Sequence, residues 1–293
     1  MPAHRFRILA LDVDGTLLDP DGTLRPRTMK AVTRAARAGI RPVLCTGRRY
    51  RRAWPIAKQL ELDAPLVCNS GAIIKDPAGH RTIWRADFDG ALSADVLDLF
   101  LEHDQPAVIF TDRGPLDPDF IIREYPTGRD GFDDYIDKNR EHAEIDAQWR
   151  PAVTTRPDHT WPAHGRDSIF HICAIGTTAQ MLEFQAAAHN RVGGRIQTFV
   201  QRFSSYRGTM CEILRHDAGK WAAILHLAQL WRIEPASICA VGDDSNDILM
   251  IKNAGLGVAM GHARSEILSA ADLVTGSHDE DGVAMLVEDV LLA

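Results

Sequence analysis

Long apolar runs are missing from this 293-residue chain. Charged side chains interrupt every stretch well short of the roughly twenty residues that span a bilayer, so a membrane-embedded protein is excluded as the expectation. Near the N-terminus, Asp12 cuts the apolar part of MPAHRFRILALD too short for a signal-peptide core. Net positive charge is lacking too. Thirty-three Lys and Arg stand against 40 Asp and Glu, a formal charge of −7, which leaves no overall field to hold a nucleic acid or an anionic membrane. The one basic cluster, Arg48-Arg49-Tyr50-Arg51-Arg52, reads as a solvated helix face, with Arg48 set aside because of its position. Cysteine is sparse, and no CxxC pair occurs among Cys45, Cys68, Cys173, Cys211 and Cys239. Several lie in apolar strand-like runs, as small core residues of a reducing compartment would. The expectation is a cytoplasmic globular protein, and 45% apolar content suffices for one large domain or two ordinary ones.

What is present is alternation. RILALD, RPVLCT and PLVCNS read as buried strands, and TMKAVTRAARAG between the first two reads as a helix closed by Gly39. The C-terminal part repeats the theme with helix KWAAILHLAQLW, strand SICAVGDD, helix NDILMIKNAG and strand LGVAM. Such alternation predicts an α/β fold, a Rossmann-like doubly wound parallel sheet. The middle differs. TIWRADF, a helix from Ser93 to about His103, and strands AVIFTD and DFIIREY are followed by SIFHICAIG, a helix from Thr178 to about Asn190, and strands RIQTFVQ and TMCEIL. Helix, strand, strand occurs twice, which predicts an inserted α+β unit with a mostly antiparallel sheet. Between the copies, residues 126–167 are rich in Pro, Asp and Arg, and PAVTTRPDHTWPAHG reads as loop. The expected division is a core of residues 1–82 and 208–293 with a cap of 83–207.

The chemistry-bearing residues stand at strand ends. Asp12-Val13-Asp14-Gly15-Thr16 follows the first strand. A calcium loop counted from Asp12 needs Gly and Glu where Leu17 and Thr23 stand, so that reading fails, leaving a polar turn or a site. In open α/β sheets ligands bind beyond the carboxyl ends of strands. Two neighbouring carboxylates push their proton affinities apart, which suits a nucleophile beside a general acid, and a hard cation such as Mg²⁺ relieves their repulsion. A second acidic cluster, Gly242-Asp243-Asp244-Ser245-Asn246-Asp247, follows another strand and also fits a helix-capping turn. Cys45-Thr46-Gly47-Arg48 offers a hydroxyl and backbone amides to an anion, or an N-cap through Thr46. Lys220 opens a helix against the macrodipole, as a solvated lysine or a functional one.

In this order, DVDGT, CTGR, Lys220 and GDDSND resemble the four motifs of the haloacid dehalogenase-like superfamily, and are most similar to its Cof-type phosphatases. The tail NAGLGVAMGHARSEILSAADLVTGSHDEDGVAMLV resembles that family's tail almost throughout. The resemblance implies that Asp12 is a nucleophile forming an aspartyl-phosphate and that Asp14 protonates the leaving oxygen and then activates water. Thr46 and Lys220 would hold the phosphoryl group. Mg²⁺ would be held by Asp12, the Asp14 backbone carbonyl and Asp243, with Asp247 in supporting or water-mediated contact. Substrate-binding candidates are Gly15, Arg48, Asn69 of the NSGAII element, and Asn246.

Only 31 residues separate Asp14 from Thr46, whereas 173 separate Thr46 from Lys220, which places the insertion after the second motif. In the family, an α+β cap there goes with small phosphorylated metabolites. Trp221 stands where the family commonly has Gly, which puts the environment of Lys220 in question. A zinc site at His159 and His164 is disfavoured because the loop lacks matching ligands. The expected activity is Mg²⁺-dependent hydrolysis of a sugar phosphate or similar metabolite. A phosphomutase or phosphotransferase, or a non-catalytic ligand-sensing protein on the same fold, stays open.

Overall fold

A computed structural model describes residues 5–114, 117–149, 168–202 and 206–293. The loop expected at 151–165, with His159 and His164, lies outside them. The chain divides into two compact units, residues 1–84 with 219–293 and residues 85–218.

The first unit starts with β1 (Ile8–Leu11), α1 (Pro26–Arg37), β2 (Arg41–Leu44), α2 (Tyr50–Gln59), β3 (Leu66–Cys68), β4 (Ile73–Asp76) and β5 (Arg81–Arg85, ending at the division). The second contains α3 (Gly90–Glu102), β6 (Val108–Phe110), β7 (Phe120–Ile122), α4 (Asp130–Asp137), β8 (Ala143–Ile145), β9 (His171–Gly176), α5 (Thr178–Val192), β10 (Ile196–Arg202) and β11 (Thr209–Arg215). The chain then returns to the first unit with α6 (Lys220–Trp231), β12 (Ile238–Gly242), α7 (Ile248–Asn253), β13 (Leu256–Ala259), α8 (Ser265–Leu268), β14 (Leu273–Val274) and α9 (Gly282–Leu286).

The main sheet of the first unit is parallel, in the order β14-β13-β12-β1-β2. Ile8 and Ala10 of β1 pack with Ala223, Ile224 and Leu227 of α6, while the alternating Leu9 and Leu11 are equally buried. Both faces are therefore covered, which is why the strand is a continuous apolar run. Each such side chain contributes about 1.5–3 kcal/mol by leaving water. α1 begins two residues before the expected Thr28, because Pro26 supplies helical φ at a first-turn position whose N–H needs no partner. It buries Thr28, Ala31, Val32 and Ala35 and stops before Gly39, at φ +92°. From β1 the chain passes to β2 on one side, whereas β12 on the other side leads away to β13. That reversal of winding makes the gap between β1 and β12 the topological switch point. β3, β4 and β5 form a separate three-stranded sheet.

In the second unit the sheet order is β10-β11-β9-β6-β7-β8, antiparallel except for β7 with β8. Val96 and Phe100 of α3 and Met181 and Phe184 of α5 join Ile109, Ile172 and Ile213 in its core. The segment 208–218, expected on the core side, belongs here because β11 pairs with β9 and β10 throughout its length. α4 and β8 lie in the Pro-, Asp- and Arg-rich stretch 126–167, ahead of the segment read as loop; Phe132, Tyr135 and Ile136 anchor α4, and Asp130 and Asp133 suit its N-terminal turn. All five cysteines are buried, with no disulfide among them, and among the described residues no helix is long and apolar enough to cross a membrane.

Candidate active site

The site belongs to the first unit. Asp12 follows β1 and its N–H donates to the Val241 carbonyl at 3.0 Å, tying it to β12 at the switch point. The next turn is closed by the Leu17 and Leu18 N–H groups on the Val13 carbonyl. Gly15 sits in it at φ +83°, where a Cβ would lie 2.4 Å from Asp243 Oδ2. Only glycine allows that backbone and that approach. The Thr16 hydroxyl donates to Asp243 Oδ1 at 3.0 Å, so the first and last acidic motifs interlock.

Lys220 opens α6 behind Gly219, whose φ is +120°. Gly71, at φ +91°, lies so close that a Cβ would stand 2.0 Å from the Gly219 carbonyl carbon. Lys220 is only 1% exposed and donates to Asp12 Oδ1 at 2.6 Å and Asp247 Oδ1 at 2.7 Å. Trp221, the departure from the family pattern, is partly buried against the α6 core and leaves this placement intact. The other oxygen of Asp247 accepts from the Asp243 and Asp244 N–H groups, both at 3.2 Å. The helix-capping reading of this turn is realised as well, since Asp244 caps it by accepting from the Ser245 N–H.

Oxygens of Asp12, Asp243 and Asp247 lie within 4.8 Å of one another. With Lys220 protonated and all three ionised, the cluster carries −2, which a divalent cation brings to zero. Burial opposes the Lys220 ammonium, but Asp12 and Asp247 together outweigh it and raise its pKa. Burial, aided by Asp247 and Asp243, holds the Asp12 carboxyl well above the usual range in spite of Lys220. Asp243 is pushed up to about 7, first by burial and then by Asp247, against the lowering by Thr16 and Lys220. The donors are hard oxygens; Oδ2 of Asp12 and Oδ2 of Asp243 are the two not engaged by Lys220 or Thr16. This set fits a hard divalent cation, and both Asp247 oxygens are already engaged by Lys220 and backbone N–H groups.

The pH dependence follows. A carboxyl with a raised folded pKa binds its proton more tightly in the folded protein, so the metal-free protein loses stability as pH rises from about 4 to about 7. The coupled cluster titrates as one unit. Thermal melts in EDTA are expected to show this fall, and Asp243→Asn to flatten it. Mg²⁺ should raise the melting temperature more at pH 8 than at pH 5, where protons compete for the same oxygens. Equal metal effects at both values would refute this account.

Thr46 is fully buried, and its hydroxyl accepts from the Arg48 N–H at 3.0 Å. It does not cap a helix, because α2 starts at Tyr50 with Arg49 in the cap position. The Ser70 N–H donates to the Thr46 carbonyl and the Asn69 N–H to that of Arg48, which joins the CTGR segment to the end of β3. Asn69, Ser70 and Gly71 all have positive φ, at 49°, 53° and 91°, a strained run held by these bonds. Asn246 Nδ2 donates to the Ser70 hydroxyl at 3.3 Å. Arg48 holds Asp14 by a two-point ion pair, Nε at 2.7 Å and Nη2 at 2.5 Å. The Asp14 carboxylate is half-exposed and stands outside the three-carboxylate cluster.

Sequence reasoning gave no role to Thr16, Ser70, Gly71 or His262. Thr16 was inside a quoted motif, and Ser70 and Gly71 were inside NSGAII. His262 Nε2 lies 3.8 Å from Asp243 Oδ2, with its ring stacked on His278 at 4.1 Å between centroids; only its place in the tail, MGHARSE, offered a signal.

Residues 9–287, which contain the parallel switch-point sheet and its Asp–Lys–Asp cluster, match the family of haloacid dehalogenase-like hydrolases. The chain belongs to that family, and to its Cof type. It is 28% identical over 300 residues to pyridoxal phosphate phosphatase YbhA of Escherichia coli K12, covering 98% of this chain and 99% of the relative. It is 27% identical to 5-amino-6-(5-phospho-D-ribitylamino)uracil phosphatase YwtE of Bacillus subtilis, covering 98% of each. A haloacid dehalogenase-like hydrolase structure from B. subtilis matches with a TM-score of 0.75 at 24% identity, over 98% of this chain and 100% of that one. The chain is a phosphoric monoester hydrolase.

Proposed function

We propose that this enzyme is a Mg²⁺-dependent phosphatase of small phosphorylated metabolites that works through an aspartyl-phosphate on Asp12. The observation that carries this reading is Asp12 itself. It is buried at the switch point, has one oxygen on Lys220, and shares a divalent-cation-sized acidic cluster with Asp243 and Asp247. Mg²⁺, held by Asp12, the Asp14 carbonyl and Asp243, would neutralise phosphate charge so that an anionic nucleophile can approach.

A carboxylate oxygen of Asp12 attacks phosphorus. Lys220 keeps the Asp12 carboxylate oriented and, with Thr46, stabilises the transferring group. Asp14 gives a proton to the leaving oxygen and removes one from the water that cleaves the acyl phosphate. Arg48 and the Asn69–Gly71 turn, with Asn246 behind it, line the anion's entrance. A phosphate arriving there competes with Asp14 for Arg48, releasing the general acid as substrate binds. The second unit, residues 85–218, serves as the cap that selects the leaving group, and a reducing cytoplasm fits five cysteines outside any disulfide. Relatives named for pyridoxal phosphate and a phosphoribityl-uracil support small phosphate esters as the substrate class.

The test is phosphate release from an aryl phosphate, pyridoxal phosphate, sugar phosphates and nucleotides, each with Mg²⁺ and with EDTA. Turnover of at least one ester, lost in EDTA, is expected. A folded preparation inert on the whole panel overturns the proposal.

A further inference from the structure

The second unit carries another constellation of ligating side chains. β9 and β11 are antiparallel neighbours with Cys173 opposite Glu212, and His171 lies two residues before Cys173, on the same face. The intervening Ile172 and Ala174, with Cys211 and Ile213 of β11, turn to the opposite face and join the apolar core under α3 and α5. His171 Nε2 is 3.2 Å from Cys173 Sγ and 3.4 Å from Glu212 Oε1, and the three ligating atoms fall within 4.8 Å of one another. All three residues are at most 1% exposed. The Phe110 ring stacks on the His171 imidazole at 4.7 Å and 15°, fixing its plane.

A carboxylate, an imidazole and a thiol together in a buried strand-strand seam carry a desolvation cost that apolar side chains of the same volume avoid. The arrangement has a metal's geometry. A tetrahedral zinc with ordinary Zn–N, Zn–O and Zn–S bonds separates its ligand atoms by roughly 3.3–3.6 Å, close to the two separations seen here. It also has a metal's charge. With a neutral imidazole, a thiolate and a carboxylate as ligands, bound Zn²⁺ gives a site that is neutral overall, the thiol giving up its proton. The donor set of N, S and O is softer than the all-oxygen cluster at Asp12, so the two positions favour different ions.

We propose that His171, Cys173 and Glu212 form a second metal site, for Zn²⁺ or a similar borderline cation, that clamps β9 to β11 in the middle of the second unit's sheet. These three side chains leave a fourth position for water or another donor. The site stands apart from the hydrolytic cluster in ligands and in sequence, and does not depend on the phosphatase reading. Burial and Glu212 push the Cys173 thiol up, so an entering ion has to displace its proton.

The test is to titrate metal-stripped full-length protein with Co²⁺, a visible stand-in for Zn²⁺. Expected is a single equivalent showing thiolate-to-cobalt charge transfer in the near ultraviolet, bleached by Zn²⁺. That band should disappear in Cys173→Ser and persist in Cys211→Ser and in Asp12→Asn, which alters only the oxygen site. Glu212→Gln, nearly isosteric, should weaken cobalt binding at least about tenfold while circular dichroism shows a folded chain. Absence of the band in the wild type, its survival in Cys173→Ser, or unchanged affinity in folded Glu212→Gln would overturn the proposal.

Discussion

Asp12→Asn is expected to lower kcat by about 10⁴–10⁶-fold without loosening the fold. The magnitude is that of removing a covalent nucleophile, because an amide does not attack phosphorus and the remaining groups retain only positioning and charge stabilisation. The structure explains why folding survives. Lys220 keeps its second partner, Asp247 Oδ1 at 2.7 Å, so its ammonium is not left alone in the core. One of three neighbouring carboxylates is also gone, and with it the burial cost that, with Asp247 and Asp243, holds the Asp12 carboxyl above its usual range. The metal-free variant should therefore melt at or above the wild-type temperature near pH 7. Activity on the best ester of the panel, measured with thermal melts in EDTA, checks both halves. Residual activity above about 1% of wild type would remove Asp12 from the nucleophile's role.

How much of this was legible in the sequence depends on whether a feature is local. KWAAILHLAQLW coincides with the observed helix Lys220–Trp231, because the segment is apolar on nearly every face and is stopped by Arg232 in the left-handed region. The strands carrying Asp12, Thr46 and Asp243 were equally plain, being apolar runs that end in polar residues. TMCEIL was legible as a strand of the inserted antiparallel unit, although the boundary drawn at 208 left it outside; its pairing partners were not legible. Membership rests on pairs such as Glu212 with Cys173, separated by nearly forty residues, and no local pattern carries that information. α4 was hidden by its Asp content, which resembles loop composition until Phe132, Tyr135 and Ile136 are seen to share a buried side. Within the site, charged groups announced themselves and shape did not. Gly71 matters through its approach to Gly219, and Ser70 through the Asn246 amide, contacts across about 150 and 176 residues of chain that a single sequence leaves unmarked.

Lys220→Met is the second large effect, and its sign separates two physical accounts of one residue. Judged from sequence, a lysine opening a helix is a solvated cation set against the macrodipole. Removing it would then stabilise the protein by a few tenths of a kcal/mol. In the structure the ammonium is buried between Asp12 and Asp247, and its removal leaves two buried carboxylates facing each other without a cation. Breaking such a pair costs about 3–5 kcal/mol. Methionine keeps most of the side-chain volume and a similar helix propensity, so packing and helix formation contribute little to the difference. The deficit should depend on pH in a definite direction. Without Lys220, which lowers it, the raised folded-state pKa of Asp12 rises further, so the variant's deficit is smallest where that carboxyl is protonated and grows as pH increases toward 8. Urea unfolding of wild type and Lys220→Met in EDTA at pH 5 and pH 8 measures it. A variant as stable as wild type at pH 8 would return Lys220 to the solvent, and with it the claim that one cation holds nucleophile and metal cluster in register.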